Sequence, residues 1–233
     1  MTMSLLILIF ATFACFGLLF FFRHYFDSMA LISVAIGAAI NANIYNSSNM
    51  PIECGWIIFG IDSMLYTLFM FTVLWRAKDY TISSAKSMTV SAVIAIIVSA
   101  LIETFARWSF MGGLNWKIGQ MIIGYVISAL ATGVAVWVML YIFRHMYVRR
   151  IPFVVEFMVC IFVAAIIHSF IYSSLMALIT WELPVNALRR WVGSIILRLV
   201  CGLFGCLIYY LNTKFWKPRN LEVHYRGDSK HFD

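Results

Sequence analysis

Apolar runs of 18 to 27 residues recur along this chain with short polar breaks between them. A bilayer hydrocarbon core is about 30 Å thick and takes about 20 residues of helix at 1.5 Å each. Runs of that length therefore constrain the fold more tightly than any motif. They predict helices over 4–22, 29–46, 57–75, 88–110, 118–143, 153–179 and 191–211. The runs are continuous, whereas barrel strands alternate over about ten residues. The expectation is an all-α polytopic transmembrane helical bundle of about seven spans, or six if 29–46, which closes on the asparagine-rich AINANIYN, does not cross. Residues 1–211 read as one helical domain and 212–233 as a short tail.

Composition closes off the soluble alternative. The chain is 63% hydrophobic and 12% charged, against about 25% charged in a soluble domain. A core of this size cannot hide so much apolar surface from water. The net charge of +7 is no nucleic-acid signal, because the 17 Lys and Arg gather at run ends rather than on a stripe. No nucleic-acid partner is expected; the lipid bilayer is.

The basic residues set an orientation. Arg23, Arg76, Lys78, Lys86, Arg144, Arg149, Arg150, Lys214, Lys217, Arg219, Arg226 and Lys230 fall on one side, and Arg107, Lys117, Arg189 and Arg190 on the other. Cytoplasmic loops carry the excess of Lys and Arg, which places the N-terminus outside and the C-terminal tail in the cytoplasm, as an odd number of spans requires. The first run lacks a basic leader and a small-residue cleavage site, so it reads as a span and not a removed signal. Trp56, Trp75, Trp108, Trp116, Trp181, Trp191 and Trp216 sit at run ends, where interfacial tryptophans belong. All four prolines fall in connections or the tail, which argues against spans broken at proline.

Charges inside such runs each cost about 2.5–3.5 kcal/mol at the bilayer centre and are the first place to look for function. Glu103 and Arg107, four apart, predict a structural ion pair on one helix face. Glu156 lies near a cytoplasmic end, within reach of water or of Arg149 and Arg150. Arg198 has no acid within one turn and cannot shed its proton. It needs a partner from another helix, and Asp62 is the acid nearest in predicted depth. His168 and Tyr172 share a face, as do Asp62 and Tyr66, and Asn41 and Asn43 approach the outer side. Gly193, Gly202 and Gly205 predict close helix packing. The five cysteines form no CxxC pair, and no nucleophile, P-loop or metal-ligand spacing occurs. No cofactor, metal or catalytic residue is expected, and the chain does not read as an enzyme.

From Phe26 to Lys86, the stretches LISVAIGAAINANIYN, SSNMPIECGW and FGIDSMLYTLFMF resemble the VUT family of bacterial queuosine precursor transporters. The shared features are Ala42-Asn43-Ile44, then a Gly-containing helix with a tyrosine, here Gly60 and Tyr66. SALATGVAVWVMLYIF resembles the family's small-residue helix; HSFIYSSLMAL and IILRLVCGLFGCLIYYL resemble its closing pair. The family's Asp, Glu and Gly after that tyrosine fall on Leu74, Lys78 and Thr81, a later Asp on His168, and a Lys in the last helix on Arg198. The resemblance implies a multi-pass protein of the bacterial inner (plasma) membrane that carries a small polar heterocycle such as a 7-deazapurine. Candidate substrate-binding residues are Asn41, Asn43, Asp62, Tyr66, His168, Tyr172 and Arg198. The rival is a non-transporting subunit or anchor of a larger membrane complex, and a second copy of the chain is a further candidate partner.

Overall fold

The computed structural model describes residues 14, 17, 18, 31–42, 51–60, 62–111, 116–180 and 184–215. In chain order the elements are α1 (Leu31–Ala42), strands β1 (Pro51–Cys54) and β2 (Ile57–Gly60), then α2 (Asp62–Asp79), α3 (Ile82–Met111), α4 (Trp116–Val148), α5 (Phe153–Thr180) and α6 (Pro184–Phe215). Helices α3 to α6 are each long and apolar enough to cross a membrane. The chain is therefore a helical bundle with four candidate membrane spans among the described residues.

These four helices contain the runs expected at 88–110, 118–143, 153–179 and 191–211, and overrun them where polar residues supply the ends. Thr81 caps α3 by accepting the Ser84 N–H at its hydroxyl, 3.1 Å. After α4, Arg150 takes a left-handed φ of 54°. The Arg150 and Ile151 N–H groups turn back to the Tyr147 and Met146 carbonyls, a Schellman ending. Pro152 follows, and its carbonyl accepts the Glu156 N–H to start α5.

The run expected at 4–22 lies largely outside the described residues. Within 29–46 the described residues form a helix over Leu31–Ala42, twelve residues or about 18 Å. The helix expected over 57–75 needs correcting. Its first four residues are strand β2, paired antiparallel with β1 in the register Cys54↔Ile57 to Pro51↔Gly60. The two-residue turn between them is Gly55 and Trp56, and Gly55 has φ +61°. Positive φ at the first central residue only is the geometry of a tight hairpin turn, which glycine adopts without strain.

Strand β2 and helix α2 lie along α6 in the same direction. An added Cβ on Gly193 of α6 would strike the Ile58 carbonyl oxygen. Farther along, Ser63 Oγ donates to Ser194 Oγ at 2.9 Å, Phe71 covers Gly205 so closely that an added Cβ would sit 2.7 Å from its ring, and Tyr209 reaches Asp79. The hairpin thus lies beside α6 at the level of Arg189 to Gly193, before α2 begins. The hairpin turn is held from α6, as Arg189 donates Nε to the Trp56 carbonyl (2.6 Å) and a terminal nitrogen to the Gly55 carbonyl (3.2 Å).

Helix α2 is the centre of the bundle. It touches α3, α4, α5, α6 and β2, and 13 of its 18 residues are buried, as expected of a helix covered all round. Trp75, expected at an interface, is instead fully buried, because α2 is surrounded, and donates Nε1 to Asp79 Oδ2 at 2.8 Å. Edge-to-face contacts join Trp75 to Phe71 and Tyr209, and Phe157 to Phe71, Phe143 and Phe153, at 5.2 to 6.3 Å. Each such pair contributes roughly 0.5–1.5 kcal/mol beyond its buried area. Packing of this kind holds a bundle together where lipid removes the hydrophobic drive between helices.

Candidate substrate site

The polar residues expected to matter come from three helices that α2 brings together. Tyr66 lies one turn into α2, His168 and Tyr172 lie on α5, and Arg198 lies on α6; Tyr66, His168 and Arg198 are all but completely buried. One terminal nitrogen of Arg198 lies 3.0 Å from His168 Nδ1. A guanidinium only donates, so Nδ1 is the acceptor. The imidazole is therefore neutral, with its proton on Nε2. The Arg198 guanidinium carbon also stands 5.5 Å from the centre of the Tyr66 ring, in cation–π range. Tyr66 and His168 rings approach to 4.3 Å, and His168 and Tyr172 stack at 6.1 Å with 13° between planes. The result is a column of three rings flanked by one cation.

Helix α4 closes the other side through hydroxyls. Tyr66 and Ser128 share a hydrogen bond, and Thr132 lies buried one turn on from Ser128. Among the described residues, five buried polar groups at this level have no hydrogen-bond partner: Arg198 Nε, the second terminal nitrogen Nη1, His168 Nε2, and the Thr132 and Ser169 hydroxyls. Buried polar atoms are nearly always paired, and each one left unmade costs about 1–3 kcal/mol. Several on adjoining residues give a donor-rich surface suited to a ligand with acceptors.

Two expectations change. The pair expected between Asp62 and Arg198 does not close within ion-pair distance, because His168 takes the guanidinium. Asp62 instead lies partly buried at the first position of α2. A carboxylate there also suits the positive end of the helix dipole. An added Cβ on Gly60 would meet that carboxylate. Glu156, expected to reach water or Arg149 or Arg150, is fully buried and paired with Lys78 of α2 at 2.9 Å, since it sits on the side of α5 turned toward α2 while Val154 and Val155 take the exposed side.

Asn41 is exposed and donates to the Gly37 carbonyl of its own helix at 2.8 Å, apart from the column. Asn43 lies outside the described residues. Glu103 and Arg107 form their i,i+4 pair at 2.6 Å, and Tyr125 of α4 also donates to Glu103. The hydroxyls of Ser63, Ser128, Thr132, Ser169 and Ser194 escaped the reading for charge. The available signal was the i,i+4 pair Ser128 and Thr132 on one face of an otherwise apolar helix.

Among the described residues no group of His, Cys, Asp or Glu is placed to hold a metal ion. Cys160, Cys201 and Cys206 are buried as free thiols. Compared with known proteins, the chain matches no family model, no curated protein and no solved structure.

Proposed function

We propose that this protein is an integral membrane transporter of a small polar heterocycle, of the 7-deazapurine kind that the resemblance to queuosine precursor carriers implies. In this reading it lies in a bacterial inner (plasma) membrane with about seven crossings, the N-terminus outside and the tail in the cytoplasm. The observation that carries the reading is the set of buried donors on Arg198, His168 and Ser169 that have no partner among the described residues, beside the rings of Tyr66 and Tyr172. A planar heterocycle offers faces to the rings and ring-nitrogen or carbonyl acceptors to the donors.

In this reading two sets of contacts close the ends of the path. Toward the cytoplasm lie the aromatic cluster around Trp75 and Phe157 and the Lys78–Glu156 pair. Toward the outside lies the hairpin, tied at its turn by Arg189. Transport then requires these two closures to open in alternation about the ring column. His168 supplies a coupling group: a proton on Nδ1 turns the acceptor of Arg198 into a donor, breaks that bond and frees the guanidinium.

Uptake of a labelled 7-deazapurine precursor into proteoliposomes tests the proposal. Saturable uptake that falls to background in Arg198→Ala and His168→Ala supports it. Absence of uptake by the wild-type protein, with stable co-purification of a membrane partner, replaces it with the anchoring-subunit reading.

A further inference from the structure

A second site lies away from the ring column, on the outside of the bundle. Between α3 and α4 runs a groove of about 440 Å³, walled by Val90, Ile94, Val136 and Trp137, with Lys86 and Arg144 at one end. Lys86 is four residues from the start of α3 and Arg144 four from the end of α4, so both cations stand at the same membrane face, about 6 Å inside the helix ends. The apolar walls continue to Ile94, twelve residues or about 18 Å from that end, roughly the depth of one leaflet. Gly133 forms part of the wall, and an added Cβ there would meet nothing within 4 Å, which leaves the groove open along its length. Lys86 Nζ sits 5.7 Å from the Trp137 ring centre, which steadies the cation at the mouth. Among the described residues no acidic side chain lines the groove.

We infer that this groove holds one acidic phospholipid of the cytoplasmic leaflet, with the phosphate between Lys86 and Arg144 and an acyl chain along Val90, Ile94 and Val136. Charge complementarity selects the occupant: two cations over an apolar channel one leaflet deep match an anionic headgroup over its chain. The inference rests on the orientation proposed above and is independent of transport.

The test uses the full-length protein in detergent, titrated with dioleoyl phosphatidylglycerol or dioleoyl phosphatidylcholine and followed by native mass spectrometry and thermal melting. The expected result is one saturable site preferring phosphatidylglycerol. A surface Lys or Arg contributes about 1 kcal/mol toward an anionic lipid, so K86Q/R144Q should bind phosphatidylglycerol roughly 25-fold more weakly and lose the preference. G133F puts a ring into the open channel and should abolish binding of both lipids, while its melting temperature in phosphatidylcholine stays near that of the wild type. R149Q/R150Q removes two charges from the same face outside the groove and should leave the site intact. Equal binding of the two lipids, equal loss in R149Q/R150Q, or a dimer that G133F dissolves would each overturn the inference, the last by giving the groove to a second copy of the chain.

Discussion

Arg198 is a fully buried cation and Lys78 a partly buried one, yet the bundle treats them oppositely. Lys78 meets the Glu156 carboxylate at 2.9 Å and lies over the Tyr147 ring at 4.4 Å. Arg198 meets a neutral imidazole and a ring face and keeps two nitrogen positions without partners among the described residues. A buried charge with a matched counter-charge serves the assembly of helices. One that is left underpaired weakens that assembly and is retained only where something else completes it. The pairing of each cation therefore separates the scaffold from the candidate site more sharply than burial does.

The largest effect expected from this contrast is on uptake. Arg198→Met keeps the length of the side chain but removes every donor. Loss of two charge-assisted contacts, at about 1.5–3 kcal/mol each, should lower uptake by 100-fold or more. The same change should leave melting unchanged or raise it, because an apolar side chain replaces a charge with unmet donors. A melting temperature that falls as far as uptake does would make Arg198 packing glue and erase the distinction.

Next in size is the paired cation. Glu156→Leu leaves Lys78 without its acid and should destabilise the protein by about 3 kcal/mol. That is the lower end for a broken buried pair, since the Lys78 side chain keeps 21% of its exposure. Lys78→Met combined with Glu156→Leu should recover most of the loss, which a double-mutant cycle in denaturant-titrated micelles would read. Gly205→Ala places a methyl against the Phe71 ring and should cost about 1–3 kcal/mol through overpacking, checked by the same melts. The smallest effect belongs to Arg107→Gln. Its pair with Glu103 leaves the Arg107 side chain 41% exposed, so the loss should stay near 0.3–0.5 kcal/mol.

The four long helices are legible in the sequence because their lipid-facing sides carry unbroken apolar residues. On α3 only 22% of the apolar stretch is buried, and Ile94, Ile102, Phe105 and Phe110 all lie exposed. Helix α2 is legible only in part for the opposite reason. Enclosed by protein, it carries Asp62, Arg76, Lys78 and Asp79 within 18 residues, and its apolar run merges with the strand before it. The turn signal was present in Gly55, but continuous hydrophobicity over Ile57–Gly60 reads equally as strand or helix. At the site, the importance of Tyr66, His168 and Arg198 follows from the expense of polar groups in lipid. Their pairing does not, because which of two partners Arg198 reaches depends on the relative rotation of α5 and α6. The Lys78–Glu156 pair was hidden by the same habit of reading a basic residue near a run end as a marker of orientation.

The partners that bury α2 are made late. Ser63 awaits Ser194, 131 positions downstream, and Asp79 awaits Tyr209, 130 downstream. During synthesis, then, a charged helix leaves the ribosome long before the element that shelters it, and it must be tolerated at the membrane in an immature setting. Maturation ends only when the final helix arrives. A nascent chain stopped after α5 should leave the α2 region open to protease attack, and extension through α6 should remove that sensitivity.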